Sequence, residues 1–533
     1  MAAAGETVDV DERVRSPVEP RTVVGVEPTI SAETRDQQLA WPEGDAARSW
    51  HPWRLFLVVL ALLTVLHVSG FRVAVFNSDE TYLATQAQVL NHGGSLYHDA
   101  VDRKPPLVPY LYAATFRVFG SSGLWTVRLV AIFAAALTAW LVALEARRRY
   151  GDRAAWIAGV LCALGSLLFV PQDGQAANFE IFMLPAMTGA FVLARRRHTA
   201  SAGVALAVAT LAKQTAAATL LPVLFIVAKL CGRRGVRDTL ASFTIPIAIV
   251  ALLVGPGELL FWAVLGNGSY LEAKNASMFV VWRFLQKTGS YVGANMPLLL
   301  PLPFAWRSRR ENADLWLWLL SAALSVAIGF RFFGHYYLQL LPPLVLLTTG
   351  VLVRKHVVIA IATIVFAGLI ATGFSVAAFW AGQLDNEPAY AKTSSFLARH
   401  TKPQDRILVW GHLPEIYWAS GREPATRFIT TGFLTGHWGG RPPQAVSPDL
   451  ATPGAWVEFY RDLANHPPEY ILDTSNARIR GSQYYPLTNY FSLAGIVASY
   501  YRYVRSIDLI DVYRLNASPA EVSHQLNDVE VPP

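Results

Sequence analysis

The sequence predicts a polytopic α-helical membrane protein that carries a small α/β domain after its last span. Three observations lead there. The chain is 53% hydrophobic and only 16% charged, a balance far from that of a soluble domain. Its apolar residues arrive in long blocks with Arg and Lys clustered at every second connection between them. Beyond about residue 380 the long blocks give way to short apolar runs separated by amphipathic segments.

Taken in order, residues 1–50 hold ten acidic and five basic side chains, several prolines and no apolar periodicity, and are expected to form a disordered tail. They lack the basic start and apolar centre of a signal peptide. About eleven apolar blocks follow, at roughly 54–75, 124–145, 155–171, 179–194, 200–216, 217–231, 239–256, 292–306, 313–330, 337–353 and 356–379. Several are shorter than the ~20 residues a perpendicular helix needs. Basic clusters at Arg48/Arg54, Arg147-Arg148-Arg149, Arg195-Arg196-Arg197, Arg233-Arg234, Arg307/Arg309-Arg310 and Arg354-Lys355 alternate with acidic or neutral connections. The positive-inside rule places these clusters and the N-terminus in the cytoplasm, with a membrane domain over 51–380. The same clustering explains the formal charge of +7 without a nucleic-acid partner. Cys162 and Cys231 both fall in or beside apolar blocks, so neither a disulfide framework nor a Cys-based metal site is expected.

The connection over 76–123 then faces outward and is unusually rich. Asp79 lies 25 residues beyond Arg54, about 37 Å along a helix, so Asp79 and Glu80 emerge at the outer surface. Thr81 to Leu90 and Leu107 to Phe119 read as two amphipathic juxtamembrane helices, with Pro105-Pro106 breaking the chain between them. Taken alone, the two carboxylates suit a solvated helix cap, and Lys104 suits a contact with lipid headgroups. Lys213 is a lone cation in an apolar stretch, 16 residues beyond Arg197 and so about 24 Å along its helix, at the outer end. Such a charge is costly and calls for a function or a partner; pairing with Glu180 is the alternative to a functional role.

An Asp-Glu pair after the first span, a surface helix, and the Arg103-Lys104-Pro105-Pro106 stretch before a Tyr-rich segment resemble the GT-C glycosyltransferases, in particular the protein mannosyltransferase and aminoarabinose transferase group. "NFEIFMLPAMTGA", Asn178 to Ala190, is similar to a second acidic motif, with Glu180 where Asp is more usual. "LAKQTAAATLLP", Leu211 to Pro222, resembles a segment with a phosphate-binding Lys, here Lys213. "RFFGHYYLQLLPPL", Arg331 to Leu344, resembles an outward turn whose Tyr and basic residues approach the donor. The resemblance covers about residues 54–380 and implies the GT-C fold and transfer of a sugar from a polyprenyl-phosphate donor, with inversion.

That chemistry suits the residues. An anionic leaving group at the membrane surface calls for cations there, and Lys104, Arg103, Lys213 and Arg331 are the candidates. Asp79 is the candidate general base for the acceptor hydroxyl, with Glu80 orienting the acceptor or Asp79. Glu180, His335, Tyr336 and Tyr337 are candidates for orienting acceptor or metal, although an interfacial aromatic belt is the plainer reading of the last three with Arg331. No cofactor is required by the pattern; a divalent cation is left open, on a weak ligand set. Residues 381–518 are expected to form an extracytoplasmic α/β domain, with strands in "DRILVWG", "RFIT" and "EYILDTS" and helices in "PEIYWAS" and "AWVEFYRDLANH". Trp410 and Trp418 read as core, while "GHWGGRPP", Gly436 to Pro443, reads as a loop for acceptor contact. Residues 519–533 read as a polar tail. The expected partners are membrane lipids, the lipid-linked donor, and a lipid, protein or cell-wall glycan acceptor. The Ala, Arg and Gly bias points to a bacterial plasma membrane and a decaprenyl or undecaprenyl carrier. The alternative is a transporter or flippase, whose site would lie near mid-membrane between repeated halves; no repeat is visible. A scaffold that binds envelope glycan leaves the carboxylates and Lys213 without a role.

Overall fold

The computed structural model describes residues 51–267, 277–384, 389–442, 446 and 448–527. The tail expected over 1–50 lies outside the described residues. From Pro52 onward the chain is a helical bundle. Pro52 opens the first helix, Pro52–His67, where its missing N–H costs nothing. Helix Leu124–Tyr150 runs 27 residues and ends with Arg147, Arg148 and Arg149 beside its free carbonyls, where cations are favoured.

Among the described residues four stretches are long and apolar enough to cross a membrane unaided: Pro52–Arg72, Leu124–Tyr150, Gln214–Val254 and Val357–Trp380. The third is two helices in one: Gly232, at φ 66°, breaks Leu220–Val254 just before Arg233-Arg234, where the sequence placed a connection. Most other expected blocks are shorter helices: Asp152–Gly165, Phe179–Arg195, Thr199–Ala212, Ala313–Ala327 and Leu341–Leu352. The block at 292–306 is different. Pro297, Pro301 and Pro303 cut it into the single turns Met296–Leu299 and Leu302–Ala305. The helix before it, Ser277–Ala294, falls where the sequence predicted a connection. Eleven apolar blocks are therefore present, but not eleven helices that each span alone.

The basic clusters gather at one end of the bundle. Arg149 and Arg195 both reach Glu145 and Asp314, and Arg354 reaches Glu311. Arg128, in the first turn of the same helix as Arg149, lies 21 residues away, or about 32 Å, at the end where the candidate site lies.

At that end, helix Ser78–Asn91 corrects one expectation. It is not a surface helix with one wet face: Leu83, Ala84, Thr85, Gln86, Ala87, Val89 and Leu90 are all buried. Val89 belongs to one apolar core with Leu397, Ile407, Val409, Ile416, Tyr417, Leu472 and Val512 of the C-terminal domain. The domain is thus packed onto the loop that carries the candidate site. Its sheet has the order β1-β2-β4-β3, with β1 Ile407–Trp410 parallel to β2 Tyr470–Asp473. β3 Tyr501–Ile507 and β4 Ile510–Leu515 form an antiparallel hairpin whose second strand pairs with β2. Helices Glu415–Ser420 and Ala455–Asn465 stand where the sequence expects them. "RFIT" is no strand: Arg427 is turned toward Asp462, which accepts from its backbone and its guanidinium. Part of the expected polar tail forms helix Pro519–Asn527, anchored by buried Val522 and Leu526.

Candidate active site

A cavity of about 400 Å³ opens between the bundle and the C-terminal domain, lined from below by Asp79, Lys104, Asp173, His335 and Tyr336 and from above by His412, His437, Trp438, Arg441 and Arg480. Asn77 sets its floor. The Asn77 side chain accepts from the backbone N–H groups of Asp79 and Glu80, capping helix Ser78–Asn91. Both acids sit in the first turn, where the helix dipole favours negative charge. Consecutive helical residues point about 100° apart, and the pair divides accordingly.

Asp79 turns to the cavity with 36% of its side chain exposed; Lys104 Nζ and His335 Nε2 each lie 3.9 Å from its Oδ2. Burial pushes its carboxyl up, but Lys104, His335, His412 and Lys213 together outweigh that and hold it down at about 2. Glu80 turns the other way and is fully buried. Its carboxylate takes Arg128 Nε at 2.9 Å and Nη2 at 2.6 Å, and accepts from the N–H groups of Phe76 and Ala177 at 3.0 Å each. Arg128 also donates to the carbonyls of Gly70 and Val73. Glu80 therefore does not face acceptor or Asp79, contrary to expectation; with Arg128 it ties the exit of the first span to two other helices.

The cations divide as well. Lys104 lines the cavity and lies 4.0 Å from the centre of the Phe179 ring. Arg103 also lines it, yet its guanidinium is stacked 3.4 Å over Trp438 of the C-terminal domain, so it clamps the two parts as well as charging the wall. Lys213, at the C-terminal end of helix Thr199–Ala212, pairs with buried Glu180 and lies 3.8 Å from the Tyr336 ring centre. The pairing named as its alternative role is therefore present, buried behind the cavity-lining residues His335 and Tyr336. Arg331 does not line the cavity. Two left-handed residues, Phe330 and Phe332 at φ 55° and 48°, turn it fully inward, where Nη1 donates to Gly439 O and supports the Gly436–Arg441 loop. Tyr337 is also withdrawn: it is buried in a cluster of three mutually contacting rings with Phe169 and Tyr291 and bonded to Thr288.

Two roof residues complete the charge pattern. Burial and Arg480 push His412 down to about 3, so it faces Asp79 as a neutral imidazole, with Nε2 at 3.3 Å from Ser78 Oγ. Arg480 is held by Glu415 through two bonds of 2.6 and 3.0 Å. Trp410 lies in the domain core and donates to Tyr485 O, while Trp418 donates to Ser122 O. The sequence reading missed Arg128 and Asp173. A cation in the first turn of a span looks interfacial, and the lone acid of the short 171–178 connection was the available signal for the second. Among the described residues no group of three or more His, Cys, Asp or Glu is arranged to hold a metal ion.

Comparison with known proteins agrees with this architecture. Residues 103–256 match the family described as dolichyl-phosphate-mannose-protein mannosyltransferase. No curated protein sequence matches the chain. Among solved structures, ArnT from Cupriavidus metallidurans bound to undecaprenyl phosphate aligns with a TM-score of 0.59 at 15% identity, over 89% of this chain and 99% of that one. The Archaeoglobus fulgidus oligosaccharyltransferase in its apo form aligns with a TM-score of 0.55 at 12% identity, over 89% of this chain and 75% of that one. The chain is a multi-pass membrane protein of the GT-C fold, similar to the protein mannosyltransferases and to ArnT.

Proposed function

We propose that the chain is a glycosyltransferase that moves a sugar from a polyprenyl-phosphate donor to an acceptor hydroxyl, with Asp79 as general base and inversion at the anomeric carbon. The observation that carries this reading is the Asp79 carboxylate set 3.9 Å from Lys104 in a cavity at the end of an apolar bundle. An apolar groove of about 290 Å³, lined by Pro106, Leu107, Tyr110, Leu211, Val250 and Leu253, begins two residues after Lys104 and suits a prenyl tail. The undecaprenyl phosphate held by ArnT supports the same class of donor. In the reaction the acceptor oxygen bonds to the anomeric carbon as the bond from that carbon to the phosphate oxygen breaks. The electron pair leaves with the phosphate, toward Lys104 and the floor around Lys213 and His335. The hydroxyl proton passes to Asp79. One displacement needs one base and no second carboxylate as nucleophile. The basic end of the bundle faces the cytoplasm in this reading, and the cavity faces outward.

A carboxylate held near 2 is a weak base. A donor phosphate among Lys104, Lys213 and His335 offsets the cations that hold Asp79 down, so Asp79 rises toward its ordinary range once donor is bound. The pH profile tests this. kcat/KM reports the free enzyme and kcat the complex; Asp79 leaves the first flat on the acid side down to about pH 4, while the acid limb of kcat lies at higher pH. Acid limbs that coincide contradict phosphate placement at these cations.

Lys213 gives a second test. Lys213→Met takes the hydrogen-bonded partner from Glu180, 1% exposed, leaving it only the longer 4.0 Å approach of His335, and is expected to cost about 3 kcal/mol of stability. Adding Glu180→Gln restores most of the stability. Donor affinity, measured by titration, stays at least about tenfold weaker in the double variant if Lys213 meets the phosphate. Wild-type affinity there returns Lys213 to packing.

A further inference from the structure

Asp173 lies in the short turn Pro171–Gly174, and its ion-pair partner among the described residues is His335. Its Oδ1 accepts twice from that one residue, from the backbone N–H at 3.1 Å and from ring Nδ1 at 2.7 Å. Gly334 permits the approach: a Cβ there would lie 2.3 Å from Asp173 Oδ2 and 2.1 Å from the Phe169 ring, closer than atoms can sit. Phe333 stacks on the imidazole with ring planes 6° apart, and Tyr336 meets it edge-on. With Nδ1 bound to Asp173 and the ring held between Phe333 and Tyr336 contacts, Nε2 is the ring nitrogen turned to Asp79 and Glu180. It lies 3.9 Å from Asp79 Oδ2 and 4.0 Å from Glu180 Oε1, above the Lys213 pair.

We propose that Asp173 is a positioning residue of the transfer: it holds His335 so that Nε2–H faces the donor's phosphate between Asp79 and Glu180, and supplies the negative partner that keeps this imidazole cationic as charge develops on the leaving group. The inference rests on the glycosyl-transfer reading. The groups that face His335 are Asp173, Asp79 and Glu180, the last through the same Oε1 that Lys213 pairs with. Burial pushes His335 down, and Glu180, Asp173 and Asp79 more than reverse that. His335 keeps its proton throughout; it stabilises the departing phosphate by a charged hydrogen bond, while the acceptor proton goes to Asp79.

The test uses the full-length protein in lipid nanodiscs with a polyprenyl-phosphate donor carrying labelled sugar. Asp173→Ala is expected to lose about 10- to 100-fold in kcat, by analogy with the loss when the partner that orients a metal-bound His is removed, with donor KM changed less than about twofold. Asp173→Asn recovers part of that, because its amide oxygen accepts the same two bonds. A kcat for Asp173→Ala within about twofold of wild type overturns the proposal. So does a loss in both variants that tracks equal losses in thermal stability, which would mark a structural brace. If wild-type protein transfers no sugar, the reading of the site fails by itself, and 15N-histidine spectra then decide the positioning. A His335 signal, assigned with His335→Gln, whose protonation differs between wild type and Asp173→Asn supports it, and identical signals overturn it.

Discussion

Glu80→Ala should strongly destabilise the native bundle, with a stability loss of about 3–5 kcal/mol out of the ~5–15 kcal/mol that keeps a typical protein folded. The substitution strands Arg128, 4% exposed, with its charge uncompensated. It also orphans the N–H groups of Phe76 and Ala177, which now donate to Glu80. Removing both charges together is much milder, since apolar groups of similar volume often replace a buried ion pair at little cost. Glu80→Leu with Arg128→Met is therefore expected to unfold at a higher temperature than Glu80→Ala in detergent. A single variant that melts with wild type would mean that the pair is not what joins the first span to its neighbours.

Asp79→Asn should lose at least about 100-fold in kcat, the smaller end of what a positioned base contributes. Asn keeps the size of the side chain and its place in the Asn77-capped turn, and it loses only the capacity to take the proton. Donor affinity should persist, and even rise, because Lys104, His335 and Lys213 no longer share their charge with a carboxylate at this position. The two effects move apart, so kinetics and equilibrium binding of the donor check them together. A fall in affinity with kcat retained would place Asp79 in binding rather than in proton removal.

The parts of this molecule that were legible in the sequence are those that single residues must satisfy against the bilayer. Apolar blocks and Arg clusters report on solvent, so the bundle and its basic end could be read directly. Asp79, Lys104, His335 and Tyr336 were named from the outer connections and do meet at one cavity. What could not be read is direction. Asp79 and Glu80 are neighbours in sequence, yet one faces the cavity and the other a buried Arg128, because a helix turns about 100° per residue. Arg331 and Tyr337 share a motif with His335 and Tyr336, but the left-handed turn at Phe330 and Phe332 sends Arg331 inward. The β3-β4 hairpin was missed because β3 is mostly exposed and β4 offers only the short Ile510/Val512 alternation, too little periodic signal to read. The role of Asp173 depends on a contact across 162 residues, and no local pattern announces such a contact.

The most direct test of the central claim is to supply purified wild-type protein with a pool of polyprenyl-phosphate sugars and candidate acceptors, and to follow labelled sugar and released polyprenyl phosphate. The proposed transfer releases one polyprenyl phosphate per sugar transferred, gives inverted configuration in the product, and loses both signals in Asp79→Asn. No transfer from any lipid-linked donor by folded protein, or transfer that persists in Asp79→Asn, would contradict it.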